Sequence, residues 1–342
     1  MVETFHPSHW QVQTPRVGIW VLCVAALALA VVPWFAQTDT LRLLVEVMAL
    51  VAMAQAWNLL AGFTGFVSVG QQAFIGIGAY ALFLFAIHLS VSPFAAVLLG
   101  GLMGMAVGAV AAPALFHLRG PTFAIGTWVL AELFRIAITN TAWLGGASGL
   151  TLARVVRGVP LQERTRLTYW LALAVAVLAV GGLYGLLRSR LGLAIRTVRD
   201  NEASAQSVGV DVAGVKRLVF VLAAFVTGCA GAVVYLNTMF VTSTAAFAVD
   251  WSALIIFVVI VGGIGTVEGP IVGALLYFGL REWLADYGTW YIIALGLIAI
   301  ATMVWAPQGL WGTLSRRWRI SLFPVTALVR HRSLRGTLPP RS

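Results

Sequence analysis

From residue 17 to residue 307 the chain is a succession of apolar runs about as long as a lipid bilayer is thick. A helix that crosses the hydrocarbon needs about 20 predominantly apolar residues. Stretches that approach or meet this length are 17–36, 41–61, 72–90, 94–117, 121–140, 168–187, 217–241, 251–263, 270–285 and 289–307, the eighth and ninth being short. None alternates apolar with polar residues as a barrel strand does. The first run follows a polar start with one arginine, Arg16, and is longer than the core of a signal peptide (about 7–15 residues), so it reads as a retained span. Only 10% of the 342 residues are charged, against about 25% in soluble domains. The fold class expected is an all-α integral membrane protein, a polytopic bundle of about 8–10 spans.

The charge that remains is unevenly placed. There are 22 Lys+Arg against 12 Asp+Glu, and every basic residue but Lys216 is arginine. Most fall in 188–217 (Arg188, Arg190, Arg196, Arg199, Lys216, Arg217) and in the tail (Arg316, Arg317, Arg319, Arg330, Arg332, Arg335, Arg341). In a membrane protein such clusters mark cytoplasmic segments that meet anionic lipid rather than nucleic acid. Ten spans with both termini cytoplasmic place both clusters, and Arg119, inside. The same count puts Arg154, Arg157, Arg164 and Arg166 outside, against the rule. The chain then divides into an N-terminal segment 1–16, a membrane domain 17–311 holding the cytoplasmic segment 188–217, and a basic tail 312–342.

Catalytic and nucleotide chemistry find no footing. Arg217 follows Lys216, whereas a Walker A loop needs Ser or Thr after its lysine. Cys23 and Cys229 both lie in apolar runs and form no disulfide framework. The histidines (His6, His9, His88, His117, His331) are dispersed, and no HExxH motif occurs.

Two glycine-rich interruptions break the apolar pattern. One runs from Gly62 through Gly65, Ser68 and Gly70. The other runs from Gly262 and Gly263 through Gly265 to Gly269 and Pro270. Each follows a segment entering the cytoplasmic side and precedes one returning, which is a weak internal repeat. Paired interruptions of this kind point to a transport path, and unwound backbone at that depth must line a cavity or be buried in protein. Glycines that let helices approach closely are the alternative. Asn58, Gln55, Gln71 and Gln72 flank the first interruption, placed either to satisfy broken-helix backbone or to touch a substrate. Within the spans, Arg42 with Glu46 and Glu132 with Arg135 have spacings that put opposite charges on one helix face. Each pair is either a polar lining or a self-neutralising pair near a helix end.

Segment 188–217 is too polar to span. Asn201 is placed to cap a short helix that begins with Glu202 in its first turn and ends at Gly209. Ala203, Ser204, Ala205 and Ser207 give that helix a small-residue surface able to seat in a groove on another protein. The pattern Glu202-Ala203-x-Ala205-x-x-x-Gly209 resembles the coupling signature of permease subunits of bacterial ABC importers. The surroundings are similar to the branched-chain amino acid permease family. They include Asn201, Gly209-Val210-Asp211, Lys216, the stretch Asn58-Leu59-Leu60-Ala61-Gly62 with Gly65, Ser68 and Gly70, Gly145-Gly146 with Gly149, Gly262-Gly263-Ile264-Gly265-Thr266 with Gly269-Pro270, and Ala306-Pro307. The resemblance spans about residues 41–312. It departs at Gln71, where the family often has histidine, at Gln308, often basic, and at Phe66, often polar.

That resemblance implies a non-enzymatic inner-membrane permease that works by alternating access. Its implied partners are a second, related permease subunit, two ABC ATPase subunits and a periplasmic substrate-binding protein. No cofactor is expected on this chain, since ATP is used by the partners. Asn201, Glu202, Ala203, Ala205 and Gly209 would couple to the ATPases, and the two interruptions, with Asn58 and Gln71, would line or gate the path. The implied cargo is a branched-chain or related amino acid, with urea or another small amide or acid as the alternative within the family. Outside it, an ion-coupled secondary transporter would need unpaired acids within the spans, and a membrane enzyme would need acidic or histidine clusters at an interface.

Overall fold

The computed structural model describes residues 10–13, 17–118, 120–284, 290–306, 308–318, 322–323 and 328–331. Arg119, Pro307 and the tail residues Arg319, Arg332, Arg335 and Arg341 lie outside them, as does most of segment 1–16. The helices are α1 (Val17–Val31), α2 (Thr38–Asn58), α3 (Gln71–His88), α4 (Pro93–Leu115), α5 (Pro121–Thr139), α6 (Leu161–Arg188), α7 (Arg190–Asp200), α8 (Glu202–Ser207), α9 (Val212–Thr238), α10 (Ser243–Ala246), α11 (Val249–Gly262), α12 (Gly269–Leu284), α13 (Trp290–Trp305) and α14 (Gly309–Trp318). Two short antiparallel pairs accompany them: β1 (Trp10–Gln13) with β4 (Leu328–His331), and β2 (Leu150–Thr151) with β3 (Phe240–Val241).

Eight helical stretches among the described residues are long and apolar enough to cross a membrane, and Gly18–Trp34 is a shorter apolar helix. The protein is a polytopic helical bundle, as its apolar runs predict. Leu27, Val110, Leu178 and Leu297 are among many exposed apolar side chains, the arrangement of a molecule solvated by lipid tails. Local chemistry sets several ends. Pro93 and Pro121 stand at the first helical positions of α4 and α5, where a missing N–H costs nothing. Asp211 caps α9 by accepting from Gly214 N at 3.0 Å.

Three boundaries differ from the sequence expectation. The short eighth run is prolonged backwards by α10, capped by Thr242, into a 20-residue stretch from Ser243 to Gly262. The sixth span starts at Leu161, so Arg164 and Arg166 ride on the first turns of α6 instead of lying in a loop. The division placed between 311 and 312 falls inside α14, which packs on α11 and α12.

α3, α4 and α9 pack on one another through small residues, α3 and α9 largely buried and α4 turning its other face outward. A side chain at Gly78 would strike the carbonyl of Gly228, one at Gly100 would meet Gly78 O at 2.6 Å, and one at Gly231 would meet Ile75 O at 2.6 Å. With lipid as solvent, close packing of backbones supplies the association that burial supplies in water. α2 packs between this core and α6, α11 and α12. α1 lies against α6, where Tyr169 Oη donates to Leu29 O at 2.7 Å.

One end of the bundle, hereafter the near end, carries α7, α8, both glycine-rich interruptions and the α4–α5 turn. The far end carries the β2–β3 pair and residues 140–152.

Gly78→Ala is expected to lower the thermal midpoint in detergent, because overpacking against backbone costs about 1–3 kcal/mol. Gly182→Ala, with no atom within 4 Å of the added methyl, is expected to leave the midpoint unchanged or raise it slightly.

Candidate functional site

The last turn of α2 does not end in a cap. It widens into a π-helical turn, Leu59–Phe63, followed by Phe66 N donating to Leu60 O at 3.0 Å. Gly65, at φ +80°, turns the chain in a conformation that side chains disfavour. The loop is then held at three points. Trp57 Nε1 donates to Ser68 O at 2.7 Å, Val69 N donates to Thr127 Oγ1 of α5 at 3.2 Å, and Gly70 rests against the Thr127 carbonyl.

The second interruption closes on itself in a similar way. Thr266 Oγ1 donates to Gly263 O at 2.8 Å and accepts from Gly269 N at 3.0 Å. Gly263 and Gly265 have φ of +137° and +75°. Pro270 follows at the second residue of α12, and both Gly269 and Pro270 are buried. Glu268 is also buried, its Oε1 accepting from Phe323 N at 2.7 Å.

The two interruptions touch, and α2 joins them. Asn58 Nδ2 donates to Thr266 O at 2.7 Å, and its Oδ1 accepts from Gly265 N at 2.8 Å. One turn earlier, Gln55 Nε2 donates to Val267 O at 2.6 Å. Gly62 faces the crossing so closely that a side chain there would lie 2.6 Å from Gly265 N. The flanking amides therefore satisfy broken-helix backbone, across two interruptions more than 200 residues apart in sequence.

Gln71 and Gln72 form a separate buried cluster with α9 and α11. Ser252 Oγ accepts from Gln71 N at 3.1 Å and donates to Gln72 Oε1, while Thr227 Oγ1 donates to Gln71 Oε1 at 3.1 Å. The Nε2 atoms of both glutamines are buried without a hydrogen-bond partner.

On the segment between the spans, Asn201 Oδ1 accepts from Ser204 N at 3.0 Å and caps α8. Gly209, at φ +85°, ends it. Ala205 is the buried face of α8, and Glu202, Ala203, Ser204 and Ser207 are exposed. Arg199 belongs to α7. Its side chain passes both interruptions, 3.9 Å from a side chain built at Gly65 and 3.5 Å from one at Gly265. Partly covered by its surroundings, the Arg196 guanidinium is held below its usual pKa by the loss of solvent.

Lys216 makes the connection that helix spacing does not reveal. Its Nζ lies 2.7 Å from Glu202 Oε1 of α8 and 4.7 Å from the centre of the Phe66 ring in the first interruption. Phe66 packs in turn on Phe116 and Phe123. A cavity of about 650 Å³, lined by Phe66, Phe116, Glu202, Ala203, Lys216 and Arg217 among others, opens beside α8. The legible signals were a lone lysine and an aromatic residue among glycines.

The intramembrane pairs separate. Glu132 and Arg135 bond as their spacing predicts, with Nε donating to Oε2 at 2.8 Å. Glu46 does not pair with Arg42 of its own helix: its Oε2 accepts from Arg281 Nη1 of α12 at 2.9 Å. Spacing along one helix cannot see a neighbour supplied by another. Among the described residues no cluster of His, Cys, Asp and Glu is able to hold a metal.

A family model for the permease component of branched-chain amino acid transport systems matches residues 40–306. The chain is similar to the high-affinity branched-chain amino acid transport system permease protein LivM of Escherichia coli K12, at 28% identity over 84% of this chain and 73% of the relative. It is also similar to two proteins of Methanocaldococcus jannaschii. The probable LivM permease is 25% identical over 64% of this chain and 63% of its own length, and the probable LivH permease 31% over 40% and 46%. No solved structure matches.

Asn58→Ala is expected to lower thermal stability and speed amide exchange at Gly265, since each buried polar group left unpaired costs about 1–3 kcal/mol. Asn58→Asp keeps the acceptor and is expected to retain protection of the Gly265 amide.

Proposed function

Since the chain belongs to the permease family of branched-chain amino acid transport systems, we propose that it is one of two related permease subunits of an ABC importer in a bacterial inner membrane, with both termini cytoplasmic. Its proposed partners are the second permease, two ATPase subunits that seat α8, and a periplasmic binding protein that delivers the amino acid. The resemblance of this chain to both LivM and LivH relatives supports pairing with a second, related permease. The absence of a Walker A lysine supports a separate motor, because the chain's one lysine is followed by arginine and bonded to Glu202.

The observation that carries the coupling reading is Lys216, which joins α8 to the first interruption. In the proposed cycle, ATP draws the ATPases together and displaces α8. Lys216 and Phe66 transmit that movement to the loop 64–70, and Arg199 of α7 reaches both interruptions. The crossing held by Asn58 then opens and closes as one of two discrete arrangements. A partly exposed ion pair is worth about 0–1 kcal/mol and a cation–π contact about 0.5–1 kcal/mol. The relay therefore positions the loop, and ATP supplies the work. An ion-coupled mechanism has less support, because Glu46, Glu132 and Glu268 have partners, which leaves others, Asp250 of α11 among them, as the acids such a mechanism would have to use.

In vesicles holding the full complex, uptake of leucine is expected to require ATP, and this chain reconstituted alone is expected to show none. ATP-independent uptake by the chain alone would overturn the reading. Glu202→Arg is expected to abolish ATP-driven uptake while the chain still inserts; unchanged uptake would remove α8 as the coupling element. Lys216→Met loses both contacts, together about 0.5–2 kcal/mol, and is expected to slow uptake by up to about thirtyfold.

A further inference from the structure

A second cavity, of about 540 Å³, lies toward the far end between α2, α9, α11 and α12. Glu46 and Arg281 stand in its wall. Apart from Thr238 the rest is apolar and aromatic, Leu50, Val234, Leu254, Tyr235, Tyr277 and Phe278 among it. Twelve residues separate Glu46 from Asn58 on α2, and twelve separate Arg281 from Gly269 on α12. At 1.5 Å per residue the charged pair lies about 18 Å from the crossing along both helices. The cavity is thus on the opposite side of the closed crossing from α8.

A charged pair within apolar helices is costly when it faces lipid, and such pairs face water-filled cavities or other protein. This one is only partly covered, with 46% of the Arg281 side chain and 36% of that of Glu46 exposed in the single chain. It therefore faces the path, the second permease or, from the last turn of α12, the headgroup region. The cavity is of ligand-site size, mostly apolar with few polar groups, which is the common character of small-molecule sites. Its two charges are opposite, adjacent and at one side of an apolar wall.

We infer that this cavity is a transient subsite for a zwitterionic amino acid with an apolar side chain. The inference rests on the importer reading and names the chemistry the path selects. The ligand carboxylate exchanges onto the Arg281 guanidinium, which matches it as a planar fork. The ligand ammonium takes Glu46. The aliphatic side chain lies against Leu50, Val234 and Leu254. The ion pair becomes a four-charge arrangement with no net charge added, so a zwitterion enters where an amide or a simple acid leaves one residue unmatched. Discrimination against ligands lacking one polar group is strong when the site's own group is then left unpaired.

The test is equilibrium binding to the full chain in nanodiscs, by saturation-transfer NMR, without ATP or partners. The probes are leucine, leucinamide (no carboxylate) and isocaproate (no ammonium). Leucine is expected to bind at least about tenfold more tightly than either. Glu46→Gln is expected to weaken leucine and leucinamide but not isocaproate. Arg281→Gln is expected to weaken leucine and isocaproate but not leucinamide. Glu46→Gln/Arg281→Gln removes both charges of this pair together, so it is expected to insert normally and lose the preference for leucine. Equal binding of all three probes, unaltered leucine binding in the double variant, or protection of the cavity only by the second permease would overturn the inference. Because this readout needs no ATP, the stated binding pattern without ATP-driven uptake leaves the subsite standing and removes the importer reading. ATP-driven uptake without the pattern does the reverse.

Discussion

Two side-chain amides of α2, Asn58 above all and Gln55 one turn earlier, hold the two broken segments of this bundle together. Where helices are interrupted, backbone N–H and C=O groups lose their partners, and within a membrane protein water is not freely available to replace them. Asn58 answers one donor and one acceptor of the second interruption at once, and Gln55 answers the next carbonyl. The consequences spread outward. Gly62 must lack a side chain for Gly265 to come within reach, and Gly265 must adopt a positive φ to present its N–H. Gly309, also at positive φ, packs on Gly263 and so ties α14 to the same junction. α2, α11, α12 and α14 are arranged around one hydrogen-bonded knot.

The knot also explains why the glycines do not decide between packing and a path. They permit close approach in the arrangement seen. The same lack of side chains leaves the junction fastened chiefly by a few hydrogen bonds, each with a net worth of about 0.5–1.5 kcal/mol. A junction fastened this way is stiff in position and inexpensive to release. Arg199 and Lys216 approach it from the segment that holds α8, one beside the glycines and the other through Phe66. In the proposed cycle, a displacement of α8 therefore has a contiguous route of contacts to this junction.

Much of this was legible in one dimension. Apolar run length gave the bundle, Asn201 and Gly209 gave the ends of α8, and the Glu132–Arg135 spacing gave a bond that forms. Those signals are local, and a helix or a cap is decided within a few residues. The failures are of two kinds, choices between helices and helix ends set by polar residues outside the apolar runs. Glu46 takes Arg281 rather than Arg42 because α12 offers a partner that spacing on α2 cannot register. The eighth span is completed by α10 because a polar stretch, Thr242–Ala246, is capped into helix before the apolar run begins. Asn58 was read as a flanking amide, but its partners, more than 200 residues away, exist only once the bundle closes.

The two ion pairs within the spans differ in what they can report. Glu132 and Arg135 lie on one helix, so their distance does not depend on how helices move. Glu46 and Arg281 join α2 to α12, the same helices whose near ends meet at the second interruption. These helices are thus tied twice, by amide hydrogen bonds at one end and by charges about 18 Å away at the other. If α2 tilts against α12, as in the proposed alternating access, one tie must loosen while the other serves as the pivot. In the arrangement seen, both are made and the two interruptions touch at the near end. A zwitterion that separates Glu46 from Arg281 would loosen the far tie without leaving either charge unmatched, and the amide knot would hold the near end closed until α8 moves.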